Sequence, residues 1–193
     1  MERKREDRRV RITKQAIQES LIELMPQYPL SRISVKMICE TADINRSTFY
    51  AHYKDQYALL DAVQQTVISD IKREVFSTSF FNGSDGAFEA FLRLLKYGKA
   101  NAALIKVLLS EGGGASFQHA LLHLAQEKIV DEMSRNNQIS AHAVPYLKHF
   151  MLGGMLSVMR RWLDQDCADP PELVAEMMVT LIVYGTSGLL SAE

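Results

Sequence analysis

Arg46, Ser47, Thr48, Tyr50, His52 and Lys54 bring hydrogen-bonding side chains together within residues 46–54. Together they have the chemistry a DNA major groove asks for. Arginine forks onto guanine edges, serine and threonine meet several bases, and the threonine methyl suits thymine. Tyr50 and Lys54 suit phosphate oxygens, which place a protein on the duplex without reading its sequence. Phe49 and Tyr53, interleaved among them, have the spacing to face back into a core.

These residues need a rigid platform, and residues 34–57 (SVKMICETADINRSTFYAHYKDQY) spell one. Ser34 can cap a first short helix, with Ile33 and Ile38 at the spacing of a hydrophobic staple. The device repeats with Asn45 as cap and Ile44 set to pack on Phe49. Between the helices, Asp43 can take the left-handed conformation that a sharp turn often needs. Two capped helices around a tight turn make a helix-turn-helix, whose second helix enters the major groove. Ser34, Lys36 and Asn45 at the helix starts join the DNA-facing set. On these residues alone, an ordinary solvated helix hairpin stays open.

The run I-C-E-T-A-D-I-N-R-S-T-F-Y-A-H-Y-K-D-Q-Y-A-L-L resembles the DNA-binding domain of TetR-type transcriptional regulators. Ile38, Ala42, Thr48, Tyr50, His52, Leu59 and Leu60 match that family's pattern outright; Ile44, Asn45 and Tyr53 are close substitutes. Two positions depart from it. Asp43 stands where a turn glycine is usual, and Gln56 where a lysine usually meets a phosphate. Gln56 can donate a hydrogen bond but carries no charge. The resemblance implies an all-α protein of about nine helices. A three-helix DNA-binding domain (1–56) would precede a helical effector-binding and dimerisation domain (57–193). It further implies a repressor that reads a pseudo-palindromic duplex as a homodimer and releases it for a small-molecule effector. A co-regulator acting through a protein partner, with weak DNA binding, is the alternative that Gln56 keeps in view.

Charge is distributed accordingly. The net charge is −1, but residues 1–56 hold eleven Lys/Arg against eight Asp/Glu, and residues 57–193 eleven against fifteen. The first fourteen residues, MERKREDRRVRITK, carry seven basic side chains and three acidic ones. Such an arm suits phosphate or the minor groove, and Arg8, Arg9 and Arg11, adjoining the first helix, are its expected contacts.

Helical periodicity accounts for the rest of the chain. A first helix is expected over 8–25, stopped by Pro26 and Pro29. A long fourth helix should span 55–76, its stripe running through Leu60, Val63, Val67, Ile71 and Val75. Residues 77–86 read as a loop. Helices follow over 87–99 and 101–111, with a break near Gly98, then over 116–136, 140–166 and 170–190. Gly112-Gly113-Gly114 lacks the lysine and spacing of a phosphate-binding loop.

The last two helices carry apolar stripes broad enough to need a partner. In the simple reading they pack only within one chain; the resemblance implies instead a four-helix bundle of two copies, with Leu147, Met151, Val158, Leu173, Val174, Met177, Met178 and Leu181 as the expected dimer face. Gly153-Gly154 would permit close approach. Aromatics and methionines that could line an effector pocket are Phe88, Phe91, Tyr97, Phe117, Met133, Phe150, Met155 and Trp162. Such residues at helical spacing are more often plain core.

His119, His123 and Glu127 share a helix face, and His142 or His149 could join them from elsewhere. Surface histidines explain that pattern more simply than zinc, which needs a full tetrahedral set. No metal or other cofactor is expected. Neither a G-x-S-x-G elbow nor an H-E-x-x-H motif points to an enzyme. Cys39 and Cys167 fit no metal or disulfide signature and suit a reducing cytoplasm. No apolar run at the N-terminus marks a signal peptide, and the stretch 177–190 is too short and too interrupted to span a bilayer.

Overall fold

A computed structural model describes residues 2–75, 83–110, 115–125, 142 and 144–185. Among them are nine α-helices and no strand. They are α1 (Glu2–Leu24), α2 (Val35–Thr41), α3 (Arg46–Tyr50), α4 (Gln56–Val75) and α5 (Gly83–Ala100), then α6 (Ala102–Leu109), α7 (Ala115–Ala125), α8 (Val144–Asp164) and α9 (Pro171–Gly185). A 3₁₀ turn, Leu30–Arg32, leads from α1 towards α2.

The caps explain the small helices. Ser34 Oγ accepts the Met37 amide at 3.2 Å, and Asn45 Oδ1 accepts the Thr48 amide at 2.8 Å. Asp43 takes φ 51°, the left-handed turn expected of it. Asp55 Oδ1 accepts the Ala58 amide at 2.8 Å, which starts α4. Pro171 opens α9, where its missing N–H costs nothing.

Three boundaries differ from the periodicity. α1 begins at Glu2 rather than near residue 8, because its charged Glu, Lys and Arg residues are themselves good helix formers. α5 begins at Gly83, inside the expected loop, and runs through Gly98 without a break. Burial of Ala87, Ala90, Phe91 and Leu95 on one face outweighs the poor propensity of its glycines. A Cβ at Gly98 would stand 3.4 Å from Met159 Sδ, so this glycine marks a close approach of α8. The second half of the helix expected over 116–136, and Met133 and Glu127 with it, lie outside the described residues.

One apolar cluster runs through the described chain. It starts under the reading head with Ile17, Leu21, Ile33, Ile38 and Phe49, each 1% exposed or less. It continues through Leu59, Leu60, Val63, Val67 and Ile71 of α4 into Phe91, Leu95, Leu108, Phe117 and Leu163. α4 therefore packs against α1 at one end and against α5 and α7 farther along. Side-chain hydrogen bonds add polar ties: Tyr97 donates to Asp70 at 3.4 Å and Ser116 to Gln64 at 3.4 Å.

Candidate nucleic-acid interface

The interface is built on Phe49, which is fully buried and anchors α3 to the core. Around it the polar residues of the same helix turn outwards. Asn45, Arg46, Ser47 and Tyr50 are exposed, Thr48 and His52 half-buried, and Lys54 exposed. The Tyr50 ring rests edge-on against Phe49, with centroids 5.6 Å apart, and is 57% exposed. That contact fixes the ring while leaving its hydroxyl accessible. Arg8, Arg9 and Arg11 line the exposed side of α1. Ser34 and Lys36 are exposed at the start of α2, although Lys36 pairs with Glu40 at 3.6 Å. With both partners largely in water, that pair is easily exchanged for a phosphate.

A tie absent from the sequence reading holds the helix in place. Gln18 on α1 donates to the Tyr53 hydroxyl at 3.2 Å, thirty-five residues away. Burial raises the Tyr53 pKa against the opposing pull of this hydrogen bond, so its phenol stays neutral. Behind the interface, burial likewise raises the pKa of the Cys39 thiol, against the nearby Arg46 charge, and it packs as an apolar group.

The C-terminal candidates divide by burial. Phe91, Phe117 and Trp162 are core residues no more than 3% exposed, and Trp162 donates to the Asp169 carbonyl at 2.9 Å. Phe88, Tyr97 and Met155 are partly buried against that core. Phe150 stands out at 77% exposure, on the surface rather than in a pocket. The described helices do leave grooves. One of about 940 Å³ separates α1 from α6, walled by Ile22, Met25, Val63, Leu104 and Val107. Another, about 760 Å³, lies between α7 and α8 and is lined by His119, His123, His149, Leu122, Leu156 and Arg160. Among the described residues, none of the expected pocket aromatics or methionines lines either one: Phe91, Phe117 and Trp162 pack in the core, while Phe150 stands at the surface.

The expected dimer face splits in the same way. Met151, Val174 and Met178 are buried within the chain, whereas Leu173, Met177 and Leu181 are 45%, 46% and 64% exposed. Val158 is half-buried, and the side chain of Leu147 is outside the described set. Among the described residues, nothing lies within 4 Å of where a side chain on Gly153 or Gly154 would begin. Although His119, His123 and His149 share a groove, no group of three or more His, Cys, Asp or Glu among the described residues could hold a metal ion. No described helix is long and apolar enough to cross a membrane.

Residues 85–184, just over half of the chain, match the TetR-type family described as "Transcriptional regulator C-terminal region". The chain is 26% identical over 176 residues to the uncharacterized HTH-type transcriptional regulator YxbF of Bacillus subtilis (strain 168). That alignment covers 88% of this chain but 44% of YxbF, so the chain spans less than half of its relative. The solved structure of a TetR transcriptional regulator from Streptococcus agalactiae 2603V superposes with TM-score 0.67 at 23% identity, covering 92% of this chain and 97% of that one. The dihydroxyacetone kinase operon activator DhaS does so with TM-score 0.60 at 20% identity, over 93% and 98%. The chain belongs to the TetR-type family of transcriptional regulators.

Proposed function

We propose that this regulator is a homodimeric, sequence-specific DNA-binding repressor that acts in the cytoplasm. The observation that carries this reading is the pair of capped helices around Asp43, with Arg46, Ser47 and Tyr50 exposed above a buried Phe49. A small molecule held among the C-terminal helices would release the operator by binding the non-binding state better. A tenfold loss of affinity requires about 1.4 kcal/mol of such preference. Titrating the full chain with the duplex upstream of its own coding sequence, against a scrambled duplex, tests the reading. Saturable binding at least a hundredfold tighter than to the scrambled duplex is expected. Equal binding to both would sink it.

A second reading is favoured by one residue. Gln56 opens α4 without a charge, so a phosphate contact there lacks its electrostatic part. A regulator with weak DNA binding, acting through a protein partner, would fit that loss. Under this reading, Gln56→Lys would strengthen duplex binding by an order of magnitude, and the native chain would bind operator weakly by itself.

A further inference from the structure

The hydrogen bonds at the start of α3 determine what its side chains still have to offer a base pair. Asn45 Oδ1 accepts the Thr48 amide at 2.8 Å, the Thr48 hydroxyl at 2.8 Å and the Ser47 hydroxyl at 2.6 Å. An amide oxygen has two lone pairs, so this acceptor is saturated. The shortest of the three contacts takes the only hydrogen Ser47 Oγ possesses. What Ser47 keeps free is lone pairs. Asn45, its oxygen fully engaged, keeps only its two amide hydrogens. Both residues are exposed.

Hydroxyls ordinarily read either kind of base edge, because they donate and accept. Here that ambiguity is removed by the cap. We propose that Asn45 and Ser47 form an adenine-reading pair, with Ser47 Oγ accepting from the N6 amino group and Asn45 Nδ2 donating to N7. In the major groove, adenine alone combines an N7 acceptor with an amino donor on one base. Guanine offers two acceptors, thymine an acceptor and a methyl, and cytosine a donor without an acceptor beside it. Ser47 facing guanine or thymine would set lone pair against lone pair. The cap residue thus sets specificity as well as helix stability. This assignment rests on the DNA-binding reading above and refines it.

The test is selection of duplexes from a randomised pool by the full chain, the Ser47→Ala variant and the Ser47→Thr variant. Ser47→Ala keeps the amide cap, and a melting curve like that of the parent checks its fold. The parent should require adenine at one position of each half-site, a preference that Ser47→Ala loses and Ser47→Thr keeps. Placing purine, which lacks the amino group, at that position should weaken the parent about tenfold and leave Ser47→Ala unaffected. Substituting 7-deazaadenine should weaken both proteins. A requirement for guanine or thymine at the position sensitive to Ser47, or no such position in a duplex that is otherwise well selected, overturns the pairing alone. Failure of the parent to enrich any duplex overturns the DNA-binding reading, and this pairing with it.

Discussion

Arg46 and Lys54 illustrate two kinds of contact that a polar residue can make on the same platform. Arg46 opens α3 and is exposed, with the buried Phe49 setting its height over the domain. Replacing it with alanine is expected to cost about 1–3 kcal/mol of operator affinity and to relax preference at one base pair. Competition binding across a panel of single-base operator variants measures both. Lys54 lies past the helix, where a cation meets phosphate. Lys54→Ala should weaken all duplexes alike and lower the slope of affinity against salt by about one unit, read from titrations at several salt concentrations. The caps and the turn were legible in the sequence because they are local. Ser34, Asp43 and Asn45 act within four residues of themselves, and their side-chain chemistry leaves few alternatives. The Gln18–Tyr53 hydrogen bond was not legible. It depends on how α1 crosses the reading head, which no short window of residues encodes.

At the scale of helices, the seam between α4 and α5 can be probed by titration. Tyr97 is pushed up from the ordinary value of 10.0 to about 12, first by burial, then by the Asp70 carboxylate beside it. The folded chain therefore holds the phenolic proton more tightly than the unfolded chain does. Stability from this group is intact below pH 10 and is lost as pH rises towards about 12. Chemical denaturation across that window should show a fall in stability that Tyr97→Phe flattens. Where α5 meets α8, Gly98→Leu would drive a side chain into Met159, and overpacking of this kind costs about 1–3 kcal/mol. A lowered denaturation midpoint is the expected result. Helix type and order could be read from the periodicity, but helix faces could not be assigned to neighbours. A stripe says that a face is covered without saying by what. Phe91 and Trp162 thus turned out to be core, and Phe150 surface.

For the whole molecule, the same ambiguity bears on assembly. Neighbouring residues of α9 differ sharply in burial: Met178 is 2% exposed and belongs to the chain's own core, whereas Met177 and Leu181 remain at the surface. Tyr146 and Phe150 on α8 are also exposed, at 72% and 77%. If this face pairs two copies, Met177→Asp with Leu181→Asp should give a folded monomer in sedimentation, with helix content unchanged. Met178→Asp should instead unfold the chain, since a lone charge buried in a core is strongly destabilising. A parent that sediments as a monomer at micromolar concentration would end the dimer proposal. The α1–α6 groove belongs to this scale too. It joins residues 15–26 with residues 100–110, so no single stretch foretold it.

The uninterrupted apolar cluster along α4 bears on how this regulator could be rebuilt. A boundary after residue 56 suits the motif but severs the helix that roofs it. Ile17, Leu21 and Phe49 would lose Leu59, Leu60 and Val63, and a small domain has little stability to spare. Recombining this recognition helix with a foreign sensor domain should succeed only when the graft carries α4 whole. Fusions joined after Val75 should accumulate as soluble chimaeras, and those joined after Gln56 should be degraded. The unit of inheritance for DNA specificity here is four helices long.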